Sequence, residues 1–160
     1  ADILIDTRDQ CSRGYYRVGV VFREYASLNA TDDYDATQIF NTSGGINQIY
    51  TLSREGKSMT TNVIHPSTRS LPLYFEPNNE SQEVELEAYR LQSLSAVSMV
   101  TLEDRKLRTE TSLLNNPVYR FTSDPNDNID RFVLHFTRGT VNIEDEESTT
   151  VISMPTIKAA

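Results

Sequence analysis

The stretch Gln82-Glu83-Val84-Glu85-Leu86-Glu87-Ala88-Tyr89-Arg90 decides the fold class. In an extended chain Val84, Leu86 and Ala88 fall on one face, and Glu83, Glu85 and Glu87 on the other. A helix would scatter the three glutamates around its circumference, whereas a strand gathers them on a solvent face. The same period of two returns on both sides. Upstream, Tyr16, Val18, Val20 and Phe22 alternate with Arg17, Gly19, Val21 and Arg23. Downstream, Phe132, Leu134 and Phe136 form an apolar set with His135 and Thr137 opposite. Further strands are expected over 48–53, 58–64, 70–75, 97–102 and 118–122, and a short one at Ile3-Leu4-Ile5.

Turn chemistry separates these segments. Asn41-Thr42-Ser43-Gly44-Gly45, Arg54-Glu55-Gly56-Lys57, Glu76-Pro77-Asn78-Asn79, Asn115-Asn116-Pro117 and Asp124-Pro125-Asn126-Asp127-Asn128 all favour turns or loops. No stretch carries a sustained 3.6-residue period, although 34–40 has room for one helical turn. The expected fold is therefore all-β: an antiparallel β-sandwich of two packed sheets, its topology open between jelly roll and immunoglobulin-like. Residues 1–140 form that domain. Residues 141–160, with the run Glu144-Asp145-Glu146-Glu147 and then Pro155, read as an acidic C-terminal strand, tail or linker.

A chain of 160 residues is long enough for one domain with a real core. Hydrophobic residues make up 38% and charged residues 24%, the balance of a globular domain. No run approaches the roughly 18 apolar residues of a spanning helix. The net charge of −8, with no basic cluster, argues against electrostatic binding of nucleic acid or anionic lipid. Cys11 is the single cysteine, which excludes an intramolecular disulfide and a cysteine-based metal site. The start at Ala1 has no signal peptide and reads as a mature terminus or an excised domain.

Chemistry-bearing patterns are few. His65 and His135 sit at a strand end and in mid-strand, without a nucleophile elbow or a metal-ligand spacing beside them. Carboxylates such as Asp32-Asp33 and Glu103-Asp104 are abundant and read as solvated charge, so no catalytic residue is assigned and the chain is not read as an enzyme. Asp124, Asn126, Asn128 and Asp130 alternate like the first half of a calcium loop. Ile129 and His135 then stand where the EF-hand needs glycine and glutamate, which leaves a hydrated turn or a non-EF calcium site. Tyr15, Tyr16 and Tyr34 crowd the N-terminal third and are the candidates for a sugar-stacking surface. Asn29, Asn41 and Asn79 each open an N-glycosylation acceptor triplet, which matters only in a eukaryotic secretory host.

Taken in order, Val100-Thr101-Leu102-Glu103-Asp104-Arg105, Leu114-Asn115-Asn116-Pro117-Val118-Tyr119-Arg120-Phe121-Thr122 and Asp130-Arg131-Phe132-Val133-Leu134-His135-Phe136 form a composite motif. With Gln48-Ile49-Tyr50-Thr51-Leu52 and Leu71-Pro72-Leu73-Tyr74-Phe75 before it, the chain over 15–138 resembles a known domain. That domain is the β-sandwich preceding the C-terminal sorting domain in type IX secretion cargo of Bacteroidota. The resemblance implies a β-sandwich and a location outside the cell or on its surface, but it carries no catalytic residues. The sorting domain itself is not recognised in this sequence.

The expected function is a non-catalytic structural or adhesive module of an exported cell-surface protein, acting as spacer, assembly unit or presentation domain. The alternative is a carbohydrate-binding module, assisted by calcium at the Asp124–Asp130 loop. Expected partners are neighbouring domains of the same protein, further copies of the chain joined through the 3–5 or 151–154 strands, and glycans. No nucleic acid, membrane insertion or obligatory cofactor is expected. Arg131 is expected to pair with Glu103 or Asp104 across the sheet, for about 1 kcal/mol or less if the pair is exposed.

Overall fold

Alternating side chains bury one face of a strand, and the chain turns where Gly, Pro and Asn collect. The computed structural model describes residues 2–9, 16–26, 36–37, 46–91 and 99–137. Of these, 61% lie in strands. In chain order the strands are β1 (Asp2–Asp9), β2 (Arg17–Phe22), β3 (Ala36–Thr37), β4 (Gln48–Leu52), β5 (Ser58–Ile64), β6 (Ser70–Glu76), β7 (Gln82–Tyr89), β8 (Met99–Asp104), β9 (Thr109–Ser112), β10 (Val118–Ser123) and β11 (Phe132–Thr137). The chain is all-β, as its periodicity requires.

The strands follow one hydrogen-bonded path, β10-β7-β1-β2-β5-β4-β6-β11-β8-β9, with β3 beside β5. Neighbours are antiparallel except β2 and β5, where Val20 lies opposite Asn62 and Phe22 opposite Ile64 in a parallel pair. The sheet is thus mixed rather than purely antiparallel, and it curls until it is nearly closed into a barrel-like shape. Its two halves face each other across the core. Phe22 of β2 meets Phe136 of β11 edge-on at 5.1 Å, and Phe75 of β6 meets Phe121 of β10 at 5.2 Å. Ile5, Leu86, Leu73 and Leu102, from β1, β7, β6 and β8, converge on one point of the interior.

Burial follows the alternation. In β7 Val84, Leu86 and Ala88 are buried while Glu83, Glu85 and Glu87 are not. In β11 Phe132, Leu134 and Phe136 are buried, and Val133 is covered as well. Gly56, at φ +82° in the β4–β5 turn, supplies the left-handed backbone that closes this hairpin, with its N–H donating to the Ser53 carbonyl.

Several expectations need correction. The 3–5 strand is no free edge: β1 carries β2 on one side and β7 on the other, so its backbone is unavailable to a further copy. The short helical turn expected over 34–40 is extended at Ala36 and Thr37, which pair with β5. The strand over 97–102 is found at Met99–Asp104, and β9 between it and the Asn115-Asn116-Pro117 turn was not foreseen. β9 has no apolar alternation to betray it; Thr109-Glu110-Thr111-Ser112 is polar throughout and, among the described residues, pairs with β8 alone. The Val151–Met154 strand, Cys11, the 141–160 tail, and the Asn29 and Asn41 acceptors lie outside the described residues.

Candidate functional site

Two polar sites stand out, one buried and one open. The buried site is assembled from the composite motif. Asp104 ends β8, Arg131 immediately precedes β11, Tyr119 lies on β10, and Asp127 sits in the β10–β11 loop. Arg131 donates from Nε to Asp104 Oδ1 at 2.9 Å and from Nη2 to Oδ2 at 2.8 Å, a two-pronged pair. Its Nη1 donates to the Thr122 carbonyl at 3.0 Å and to Asp127 Oδ2 at 3.1 Å. Asp104 also accepts from the Tyr119 hydroxyl at 2.7 Å and from the backbone N–H groups of Lys106 and Leu107. Lys106 Nζ reaches Asp127 Oδ1 at 2.6 Å.

The expected pairing therefore forms with Asp104. The regime differs from an exposed bridge, because the two side chains are 2% and 1% exposed. Glu103 faces outward on the next position and holds His135 Nε2 at 2.8 Å instead. Beneath the guanidinium lie the rings of Phe121 and Phe132, with centroids 4.7 and 5.1 Å from its central carbon. A charge buried in this way is tolerable only with its hydrogen bonds complete.

Burial opposes ionisation of Asp104, but the Arg131 and Tyr119 hydrogen bonds and the Arg131 charge outweigh it and hold the carboxyl below its ordinary value of 3.8. Burial likewise opposes ionisation of Asp127, and Lys106, the Asp124 N–H and Arg131 together hold it low. Burial, then the bond to Asp104, pushes the Tyr119 phenol up, so it remains a donor. Both carboxyls bind protons less readily in the folded than in the unfolded chain. Their stabilisation is complete above the ordinary carboxylate range and is lost as pH falls through 3.8 and then through their lower folded values. The urea midpoint should accordingly drop steeply below roughly pH 4 and flatten in Asp127→Asn, as a pH series of unfolding curves would show.

The candidate calcium residues fall around this cluster. Asp124 Oδ1 accepts from the Asn126 N–H at 2.9 Å, and the Asp124 N–H donates to Asp127 Oδ2. Asp130 is turned outward toward Arg105, 3.7 Å away. Asn126 and Asn128 are exposed. The loop thus spends its carboxylates on its own amides and on neighbouring cations. Among the described residues no three His, Cys, Asp or Glu side chains are grouped to hold a metal ion. Asp127, off the alternating positions, is the loop carboxylate that meets both Lys106 and Arg131.

Of the candidate stacking residues, Tyr16 is half-buried and packs against the core. Its backbone pairs with Thr7, whose N–H donates to the Tyr16 carbonyl at 2.9 Å. Tyr15 and Tyr34 lie outside the described residues.

The open site was not visible in the sequence. β4 pairs with β6 through Gln48–Tyr50 and then with β5 through Thr51 and Leu52. From β5 the Asn62 amide nitrogen donates to Thr51 Oγ1 and the Leu52 carbonyl. A cleft of about 630 Å³ opens between the end of β5 and the start of β6, lined in part by Arg54, Asn62, His65, Arg69, Ser70 and Tyr74. His65 Nδ1 accepts from the Ser67 backbone N–H at 3.1 Å, so in the neutral ring Nε2 carries the proton.

The chain matches no family model, no curated protein and no solved structure.

Proposed function

We propose that the chain is a non-catalytic structural and adhesive module of an exported bacterial cell-surface protein, serving as spacer, assembly or presentation domain. The curled sheet then plays the part of a β-sandwich, its facing halves standing for the two layers. The observation that carries this reading is the Arg131–Asp104 cluster. Its buried charges are saturated by partners inside the fold and spent on closing it, rather than poised toward a substrate. The glutamate row on β7 supports it further, since its charges answer to Arg8 and Arg120 on adjacent strands and keep that face polar. The resemblance of the composite motif to cargo of the type IX route supplies the location outside the cell.

Antibodies raised against the purified chain test the location. Intact producing cells should be labelled as strongly as permeabilised ones, and protease added outside should remove the signal. Labelling confined to permeabilised cells would overturn the reading.

A further inference from the structure

In a protein of net charge −8 the cleft between β5 and β6 is an electrostatic exception. Arg54 and Arg69 line it, and among the described residues its lining contains no aspartate or glutamate. Apart from these two and Arg108, every described arginine is paired with a carboxylate. Among the described residues neither Arg54 nor Arg69 makes a side-chain hydrogen bond or ion pair. Two exposed guanidinium groups on one concavity, unneutralised while acidic residues abound elsewhere, are a fork-shaped match to an oxyanion.

The remaining lining fits a sugar around that oxyanion. Ser67, Thr68 and Ser70 bring hydroxyls, and His65 brings a ring whose Nδ1 faces the Ser67 N–H. Tyr74 brings a ring that is half-buried and stacked on Tyr50, 5.5 Å between centroids. That stacking and the Tyr50 hydroxyl's bond to Glu76 at 2.7 Å fix the Tyr74 wall on the strand. At about 630 Å³ the cleft lies within the range of small-molecule sites and has room for more than a free ion.

We propose that this cleft binds an acidic saccharide, its sulfate or carboxylate group held by Arg54 and Arg69 and its ring set against Tyr74. The proposal goes beyond the structural reading and stands independently of where the protein resides. No calcium is involved, because the charge that meets the anion is the protein's own.

Calorimetric titration of the whole chain at low salt tests it. The probes are a sulfated galactan oligosaccharide, an oligogalacturonate, a neutral galactan oligosaccharide and inorganic sulfate. Saturable binding of either acidic oligosaccharide is expected, unchanged by EDTA and weakened by added salt. Sulfate-bearing and carboxylate-bearing ligands are thereby told apart. Arg54→Gln and Arg69→Gln should each weaken it at least about tenfold without altering the melting temperature, since both side chains are exposed. Arg108→Gln, at an exposed arginine outside the cleft with no ion pair among the described residues, should leave it unchanged. The proposal is overturned if neither acidic oligosaccharide binds, if neither binds tighter than inorganic sulfate, if the neutral one binds equally well, or if Arg108→Gln costs as much as the cleft variants.

Discussion

Replacing Arg131 by methionine should destabilise the protein by about 3–5 kcal/mol, read as a shift in urea midpoint at neutral pH. Methionine fills similar volume above Phe121 and Phe132, so the loss is one of charge and hydrogen bonding more than of packing. It leaves the Asp104 carboxylate, 1% exposed, without its countercharge beside an apolar cluster, takes the Arg131 donor from the Thr122 carbonyl, and leaves Asp127 Oδ2 with the Asp124 N–H. Against a typical domain stability of about 5–15 kcal/mol such a loss is severe. Arg131→Lys should fall between, because a lysine keeps the charge but cannot span both Asp104 oxygens. A midpoint change in Arg131→Met worth less than about 1 kcal/mol would place the pair among ordinary surface bridges.

Phe132→Ala should cost a comparable 3–5 kcal/mol. Phe132 is fully buried and meets Phe121 at 4.9 Å and Phe75 and Tyr119 at 6.2 Å, nearly edge-on to the latter two. Its ring joins β11 to β10 and β6, so truncation leaves a cavity where the two halves of the sheet meet. It also removes one of the faces beneath the Arg131 guanidinium, 5.1 Å away. The two substitutions share a neighbourhood, so their combined effect should differ from the sum of the separate ones. Phe132→Leu, which refills most of the space, should lose markedly less. Equal losses for the two would show that ring contacts, not cavity volume, set the cost.

What the sequence disclosed and what it hid follow from how each feature is encoded. β2, β7 and β11 were legible because one face of each is buried, and burial writes a period of two into Val18-Val20-Phe22, Val84-Leu86-Ala88 and Phe132-Leu134-Phe136. β9 was hidden because both its faces are polar. Parallel pairing of β2 with β5 was hidden because neighbours in a sheet need not be neighbours in sequence, and neither strand announces its partner. The sequence narrows the partner of Arg131 to Glu103 or Asp104, and the fold selects Asp104. Its burial was not foreseen, since Asp104 and Glu103 are chemically alike and only alternation at the end of β8 turns one inward.

The cleft was invisible for a related reason. Arg54 belongs to a turn and Arg69 to the residues before β6, and neither lies in a recognisable motif. They line one cleft because β4 lies between β5 and β6 and pairs with each over part of its length. In the loop of Asp124, Asn126, Asn128 and Asp130 the sequence shows alternating oxygens, and the fold adds that the backbone turns on itself there and that Asp127 is the loop carboxylate most occupied with cations.

The Arg131 cluster acts as a clasp. Through Asp104 and Tyr119, and through the Thr122 carbonyl, it ties β8 to β10, which lie near opposite ends of the hydrogen-bonded path. Amide hydrogen exchange compared between the unaltered protein and Arg131→Lys tests this most directly. Protection should be lost first and most over Thr109–Ser112 and Val118–Ser123, the end strands, while Arg17–Phe22 and Ser58–Ile64 in the middle of the path retain theirs. Loss spread evenly over all strands, or none at the ends, would contradict the clasp.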